Sequence, residues 1–318
     1  LPEPDVHLGV GSASQAVQTA KIMISFEEVV KGKKPDLIMV VGDVNSTLAC
    51  ALVGAKLHLP VAHIEAGLRS YDRHMPEEVN RVLTDQISDF LFTTCKEAED
   101  NLLQEGIARD KIHFVGNIMI ESLLKRQDRV QDSDILNRLS LTPQGYVLLT
   151  LHRPSNVDRK EQLAGILKAL HKIQKKISII FPAHPRTVKR IQEFQLENHI
   201  SSNHRLRLMD PLSYIDFLRL QKDAALVLTD SGGIQEEATF FQVPCLTLRS
   251  NTERPITVQE GTNQLIGSDP GIIVKKSFAA LAGPRKKTNI PKFWDDQVSR
   301  RIVEVLLKDK IQKIKDKG

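Results

Sequence analysis

Cysteine, aromatic residues and long apolar runs are all scarce in this chain, and each shortage removes a class of protein. The three cysteines, Cys50, Cys95 and Cys245, lie far apart with no C-x-x-C spacing. That excludes a disulfide framework and a zinc knuckle, and it fits a reducing cytoplasm. No run of about 18 uninterrupted apolar residues occurs, so no membrane-spanning helix is expected. The chain opens Leu1-Pro2-Glu3-Pro4-Asp5, with neither the charged nor the apolar region of a secretory leader, and a cytoplasmic location is the expectation. Aromatics are 5% of residues, with one Trp and three Tyr, too few to stack bases along a nucleic-acid surface. A Walker loop, H-E-x-x-H and G-x-S-x-G are all missing, which sets aside P-loop NTPases, zincins and α/β-hydrolases. The segment Gly9-Val10-Gly11-Ser12-Ala13-Ser14 lacks a third glycine and a preceding apolar strand, so it is not a dinucleotide fingerprint.

What is present suits a globular enzyme of two domains. With 318 residues and 41% hydrophobic content, each domain can bury its own core. The formal charge is +5, but residues 301–318 alone hold six basic against three acidic groups. The remaining 300 residues are close to balance, at 38 against 36. The basic tail reads as an amphipathic helix, with Ile302, Val305, Leu306, Ile311 and Ile314 at roughly helical spacing.

Short apolar runs recur, each followed by a helical pattern: 37–41, 61–64, 90–93, 112–115, 146–149, 177–181, 225–228 and 244–248. Continuous rather than alternating apolar runs are what parallel strands covered on both faces require. The fold class is therefore α/β, with two Rossmann-like doubly wound parallel-sheet domains facing a cleft. The charged stretch from Lys125 to Ser140 marks the boundary. The expected division is 1–124, 125–294 and a carboxy-terminal helix, 295–318, that returns to the first domain.

Ligands of such sheets bind beyond the carboxyl ends of the strands. In the first half those ends carry acids. Asp43 and Glu65 follow successive apolar strands, and Glu77 follows Pro76, which opens a helix with Val79, Val82, Leu83 and Ile87 at helical spacing. Three carboxylates at one rim suit acid and base roles; singly, Asp43 can also cap a helix and Glu77 complement a helix end. In the second half the run Thr229-Asp230-Ser231-Gly232-Gly233-Ile234-Gln235-Glu236-Glu237 leads from an apolar strand into a helix. Its glycines permit close backbone approach and its helix end favours an anion, with Glu237 placed to reach ribose hydroxyls. The alternative is a tight turn with Ser231 as N-cap. His152-Arg153 and His184-Pro185-Arg186 also follow apolar strands, either to contact a diphosphate or to form salt bridges between domains. His63 and His113 lie inside apolar runs and read as hydrogen-bonded core residues.

Taken in order, these segments resemble the non-hydrolysing UDP-N-acetylglucosamine 2-epimerases. The matching pieces are Gly42-Asp43 with Ser46-Thr47, His63-Ile64-Glu65-Ala66-Gly67-Leu68-Arg69, Pro76-Glu77-Glu78 with Asn80-Arg81, Gly116-Asn117, His152-Arg153, 230–237, and Thr252-Glu253-Arg254-Pro255 with Gly261-Thr262. The resemblance implies a GT-B fold and reversible C2 epimerisation of UDP-GlcNAc to UDP-ManNAc, by UDP elimination to 2-acetamidoglucal and re-addition. It assigns catalysis to Asp43, Glu65, Glu77 and His152, and UDP binding to Arg153, Ser231, Gly232, Gly233, Glu237 and Arg254. It implies no metal or nicotinamide cofactor, a UDP-sugar as the partner molecule, a homodimer, and no nucleic acid or membrane. Alternatives are a GT-B glycosyltransferase using a UDP-sugar and a chain that binds UDP-sugar with impaired catalysis. Three departures stand out: the family's amino-terminal strand and Gly-Thr-Arg-Pro-Glu loop find no match, Ile256 replaces a frequent acid, and Glu121 replaces a frequent Asp. An Arg-Gln pair of an allosteric site has no match near Gly11–Gln15.

Overall fold

The computed structural model describes residues 3–201, 205–285 and 287–315. The chain divides into two compact units, 1–121 with 292–318, and 122–291. Each is built on one wholly parallel sheet with helices between the strands, the expected α/β class.

The sheet of the first unit holds β1 (Ile38–Val41), β2 (Val61–Ala66), β3 (Phe90–Thr93) and β4 (Ile112–Phe114), side by side in chain order. Alternating side chains send β2 and β3 to opposite faces. Ala62, Ile64, Phe90 and Phe92 pack with Val298 and Ile302 of helix Val298–Lys315. On the other face Ile38, Val40 and Val61 pack with Val30, Ala51 and Val53 of helices Gln15–Lys33 and Asn45–Lys56. The strands β2 and β3 are buried throughout, as their continuous apolar runs require. At the sheet's edge β1 alternates instead: Met39 and Val41, also from an apolar run, are 45% and 49% exposed. In helix Val298–Lys315, Val305 and Leu306 are partly buried against the same cluster; Ile311 and Ile314 lie outside the residues whose side chains are described.

Helix Pro76–Ile87 reverses the expected polarity. Its buried residues are Glu78, Asn80, Arg81, Thr84 and Asp85, while Leu83 is exposed. An amphipathic pattern normally turns its apolar stripe inward. Here buried ion pairs and hydrogen bonds satisfy the polar stripe, so charged residues pack inward while Ile87 also joins the core.

The second unit orders its strands β10-β9-β8-β5-β6-β7. These are β5 (Tyr146–Leu149), β6 (Ser178–Pro182), β7 (Leu206–Met209), β8 (Leu226–Thr229), β9 (Cys245–Thr247) and β10 (Asn263–Leu265). The chain lays down β5, β6 and β7 in one direction, then returns to add β8 on the other side of β5. The strand order thus reverses between β5 and β8, the place where open α/β sheets leave a crevice. Two strands lack the expected continuous apolar signal. The run of β7 is broken by Arg207, and β10 is Asn263-Gln264-Leu265; both are edge strands. One large core packs on β5, β6 and β8, with Leu163, Ile166, Leu167, Leu170 and Ile173 of helix Lys160–Ile173.

The sole tryptophan, Trp294, is 4% exposed and belongs to the first unit, so its fluorescence reports on that unit. Ile302→Ala should lower the denaturant midpoint read at Trp294 by an amount equivalent to about 2–5 kcal/mol. Ile24→Ala, at a site 69% exposed, should leave it within about 0.5 kcal/mol. Equal shifts would contradict the packing of the carboxy-terminal helix.

Candidate functional site

In the first unit Asp43 and Glu65 stand at the carboxyl ends of adjacent strands, and Glu77 lies in the first turn of helix Pro76–Ile87. Asp43 is not a helix cap: the next helix has Val44 at its N-cap position and no side-chain capping bond. Instead its carboxylate meets the Arg81 guanidinium, and its carbonyl accepts from Asn80 Nδ2 at 2.9 Å. Arg81 also donates to Glu78 Oε2, from Nη2 at 2.6 Å and Nε at 3.1 Å. Glu78 in turn accepts from the Ser70 and Tyr71 amides, each at 2.9 Å, and from Ser70 Oγ at 3.0 Å. Burial drives the Glu78 carboxyl upward, but these amides and Arg81 outweigh it and hold it below the usual range. One guanidinium therefore links the Asp43 turn to the helix that carries Glu77.

Glu65 is the outlier. It lies at a register shift between β2 and β3 and has φ +70°, the left-handed region. For a non-glycine residue that conformation costs about 1–2 kcal/mol. It persists only where the surroundings fix it. His63 is fully buried and hydrogen-bonded, as expected of a core histidine. His113 differs: it is half-buried, and its ring stacks on Phe90 at 6.2 Å and lies against Phe92 at 5.7 Å.

In the second unit the chain segments after β5 and β8 flank the reversal of strand order. Asp230, fully buried after β8, accepts from the His152 amide at 3.1 Å, the Arg153 amide at 3.0 Å and Asn156 Nδ2 at 3.1 Å. His152 Nδ1 lies 2.9 Å from the same carboxylate. Burial raises the Asp230 carboxyl, yet His152 and the surrounding donors bring it below its ordinary value. The His152 side chain is 36% exposed, so its ring edge remains accessible. His152, His184, Ser231 and Ile234 line a groove of about 270 Å³ at these strand ends.

Ser231 occupies the N-cap position of helix Gly232–Phe240, but its side chain makes no capping bond. The two glycines have different reasons to be there. A Cβ at Gly232 would lie 2.3 Å from Glu253 Oε1, so a side chain there would displace the Glu253 carboxylate. A Cβ at Gly233 would meet nothing within 4 Å. Glycine inside a helix costs up to about 1 kcal/mol relative to alanine, and open space beside a helix end is where an anion can approach the backbone.

The remaining assigned residues are held in pairs. Arg254 Nε lies 2.9 Å from Glu236, Arg249 Nη2 lies 2.8 Å from Glu253, and Arg153 Nη2 lies 3.9 Å from Glu253. Arg186 pairs with Asp158 of its own unit, so the salt bridge it makes is not an inter-domain one. Glu237 accepts from the Tyr214 hydroxyl at 2.9 Å. Burial pushes its carboxyl up to about 7, against a partial opposing effect of that bond.

The motif spacing pointed to the strand ends but not to the residues that brace them. Asp230 stood inside a recognised motif with no role. Arg81 and Glu253 likewise stood inside recognised motifs with no role, while Asn156 and Tyr214 carried no local signal, because these roles depend on partners distant in sequence. Among the described residues no group of three or more His, Cys, Asp or Glu is placed to hold a metal ion. No described helix is long and apolar enough to cross a membrane.

A family model described as UDP-N-acetylglucosamine 2-epimerase matches residues 1–307. The UDP-N-acetylglucosamine 2-epimerase of Methanocaldococcus jannaschii is 44% identical over 96% of this chain and 84% of its own length. That of Methanococcus maripaludis is 43% identical over 98% and 86%. The crystal structure of the Methanocaldococcus jannaschii enzyme in complex with UDP-GlcNAc and UDP superposes with a TM-score of 0.91, covering 97% of this chain and 85% of that one.

The buried Glu237 carboxyl makes a pH prediction. Its folded pKa lies above the ordinary glutamate value of 4.5, so its contribution is full below pH 4.5 and is lost as pH rises to about 7. The loss is roughly 3 kcal/mol. Native-state hydrogen exchange of the β8 amides should show this loss relative to Glu237→Gln, and parallel curves for the two proteins would contradict it.

Proposed function

The chain belongs to the UDP-N-acetylglucosamine 2-epimerase family, and we propose that it interconverts UDP-GlcNAc and UDP-ManNAc by inverting C2. In this reading the second unit holds the nucleotide. The helix end at Ser231-Gly232-Gly233 takes the diphosphate with His152 and Arg153, Glu237 accepts from the ribose hydroxyls, and Arg254 sets the loop beside the turn. The carboxylates Asp43, Glu65 and Glu77 act on the sugar as acid and base.

The chemistry follows from the poor acidity of the C2 proton. A carboxylate removes that proton as the C1–O bond breaks, so the electron pair of the C–H bond forms the C1–C2 double bond of 2-acetamidoglucal. The electron pair of the C1–O bond leaves with UDP. The departing anion is stabilised by fixed donors already in place, which lowers the barrier without reorganisation. Re-addition of UDP to C1, with a proton delivered to the opposite face of C2, completes the inversion. Glu237 must be ionised to accept two hydroxyl donors, and the ribose supplies what burial otherwise withholds.

The observation that supports this reading best is Glu65, a carboxylate held in a left-handed conformation at a strand end beside that of Asp43. A glycosyltransferase would use the same nucleotide groups but would leave these carboxylates without work. The same reading takes the working form to be a cytoplasmic homodimer.

Proton NMR of the protein with UDP-GlcNAc alone should show the 2-epimer, and the same final ratio should be reached starting from UDP-ManNAc. Asp43→Asn should lower kcat by about 10²–10⁴-fold and leave calorimetric affinity for UDP within about threefold. Sugar transfer to an added acceptor without epimer formation would overturn the assignment.

A further inference from the structure

His63 has no assigned role, yet it sits beneath both strand ends that carry the proposed acid and base. Its ring is fully buried. Nε2 lies 2.8 Å from the Gly42 carbonyl oxygen, and Nδ1 lies 2.6 Å from Asp85 Oδ1. A carbonyl oxygen only accepts, so Nε2 carries a hydrogen. Asp85 Oδ2 accepts from the Gly67 amide at 3.1 Å and faces Arg69 Nη1 at 2.7 Å. A carboxylate surrounded by donors is ionised, so Nδ1 carries a hydrogen as well. The ring is an imidazolium.

The backbone it grips is unusual. Gly42 has φ +70°, Glu65 +70° and Gly67 +79°. Those residues flank Asp43 on one strand and include Glu65 on the next. His63 pins the first turn through the Gly42 carbonyl, and Asp85 pins the second through the Gly67 amide. Arg69 secures Asp85 from its far side and is itself held by Glu105, with Nε to Oε1 at 2.7 Å.

We propose that His63 and Asp85 form a buried positioning pair that fixes the backbone presenting Asp43 and Glu65 to the substrate. The inference rests on the epimerase reading for the chemistry, but not for the protonation state of the pair. The charged groups acting on His63 are Asp85 from helix Pro76–Ile87 and Glu65 from its own strand, with Arg69 behind Asp85. Burial opposes the charge on His63, but Asp85, the Gly42 carbonyl and Glu65 prevail, and His63 binds its proton more tightly than a free histidine. Burial likewise opposes the charge on Asp85, and His63 and Arg69 prevail there.

Two measurements test the pair. In ¹⁵N-histidine NMR of the wild-type protein, one of the ten histidines should remain an imidazolium from pH 6 to pH 9; loss of every imidazolium signal by pH 9 would overturn the proposal. For His63→Gln and Asp85→Asn, kcat for epimer formation should fall at least about tenfold with KM and UDP affinity within about threefold. A variant with native Trp294 fluorescence and unchanged kcat would also overturn the proposal. If wild-type protein does not isomerise the sugar, the epimerase reading has failed, and the NMR result still decides the pair.

Discussion

A buried carboxylate that must find donors is the constraint on which this structure turns. An unpaired carboxylate in a protein interior costs several kcal/mol, so each one present forces nearby amides and cations into place. Asp230 is the clearest case, gathering the His152 and Arg153 amides, the His152 ring and Asn156. The first unit repeats the device: Asp85 gathers the Gly67 amide and His63, and Glu78 gathers the Ser70 and Tyr71 amides and Arg81. In all three, an acid from one element sets the loop of another. Loops normally vary and move; here the ones bearing the assigned residues are tied by charge.

That bracing fixes the backbone from which the assigned acids project. Asp43 and Glu65 are not helix caps, and Glu65 sits in the left-handed region at a register shift of its strand. In the second unit the glycine pair separates two causes that look alike in sequence, since Gly232 serves the packing of Glu253 and Gly233 serves open space. In the proposed reading the two units supply complementary chemistry, with fixed donors for an anion in one and ionisable acids in the other.

Much of this was legible in the residues. Continuous apolar runs located eight of the strands, most of which are buried on both faces and so leave that mark; β1 carries the mark at a sheet edge where one face is exposed. The strands β7 and β10 left none, because an edge strand can carry Arg207 or Gln264 without burying it. Helix Pro76–Ile87 was recognised by its opening proline and its spacing, but its inward face was hidden. Apolar periodicity cannot announce a stripe of Glu78, Arg81 and Asp85 whose partners lie on other strands. The site showed the same divide. Residues that contact a ligand cluster in short motifs at strand ends, whereas the residues that hold them belong to pairings up to 78 positions apart.

The central claim is that carboxylates of the first unit move a proton at C2 while UDP departs. Mass spectrometry of UDP-sugar incubated with the protein in D₂O tests it most directly. The account predicts one deuterium at C2 in both epimers, entering at the rate of epimerisation, with free UDP and 2-acetamidoglucal as minor released species. Epimer formed with full retention of protium at C2 would contradict it.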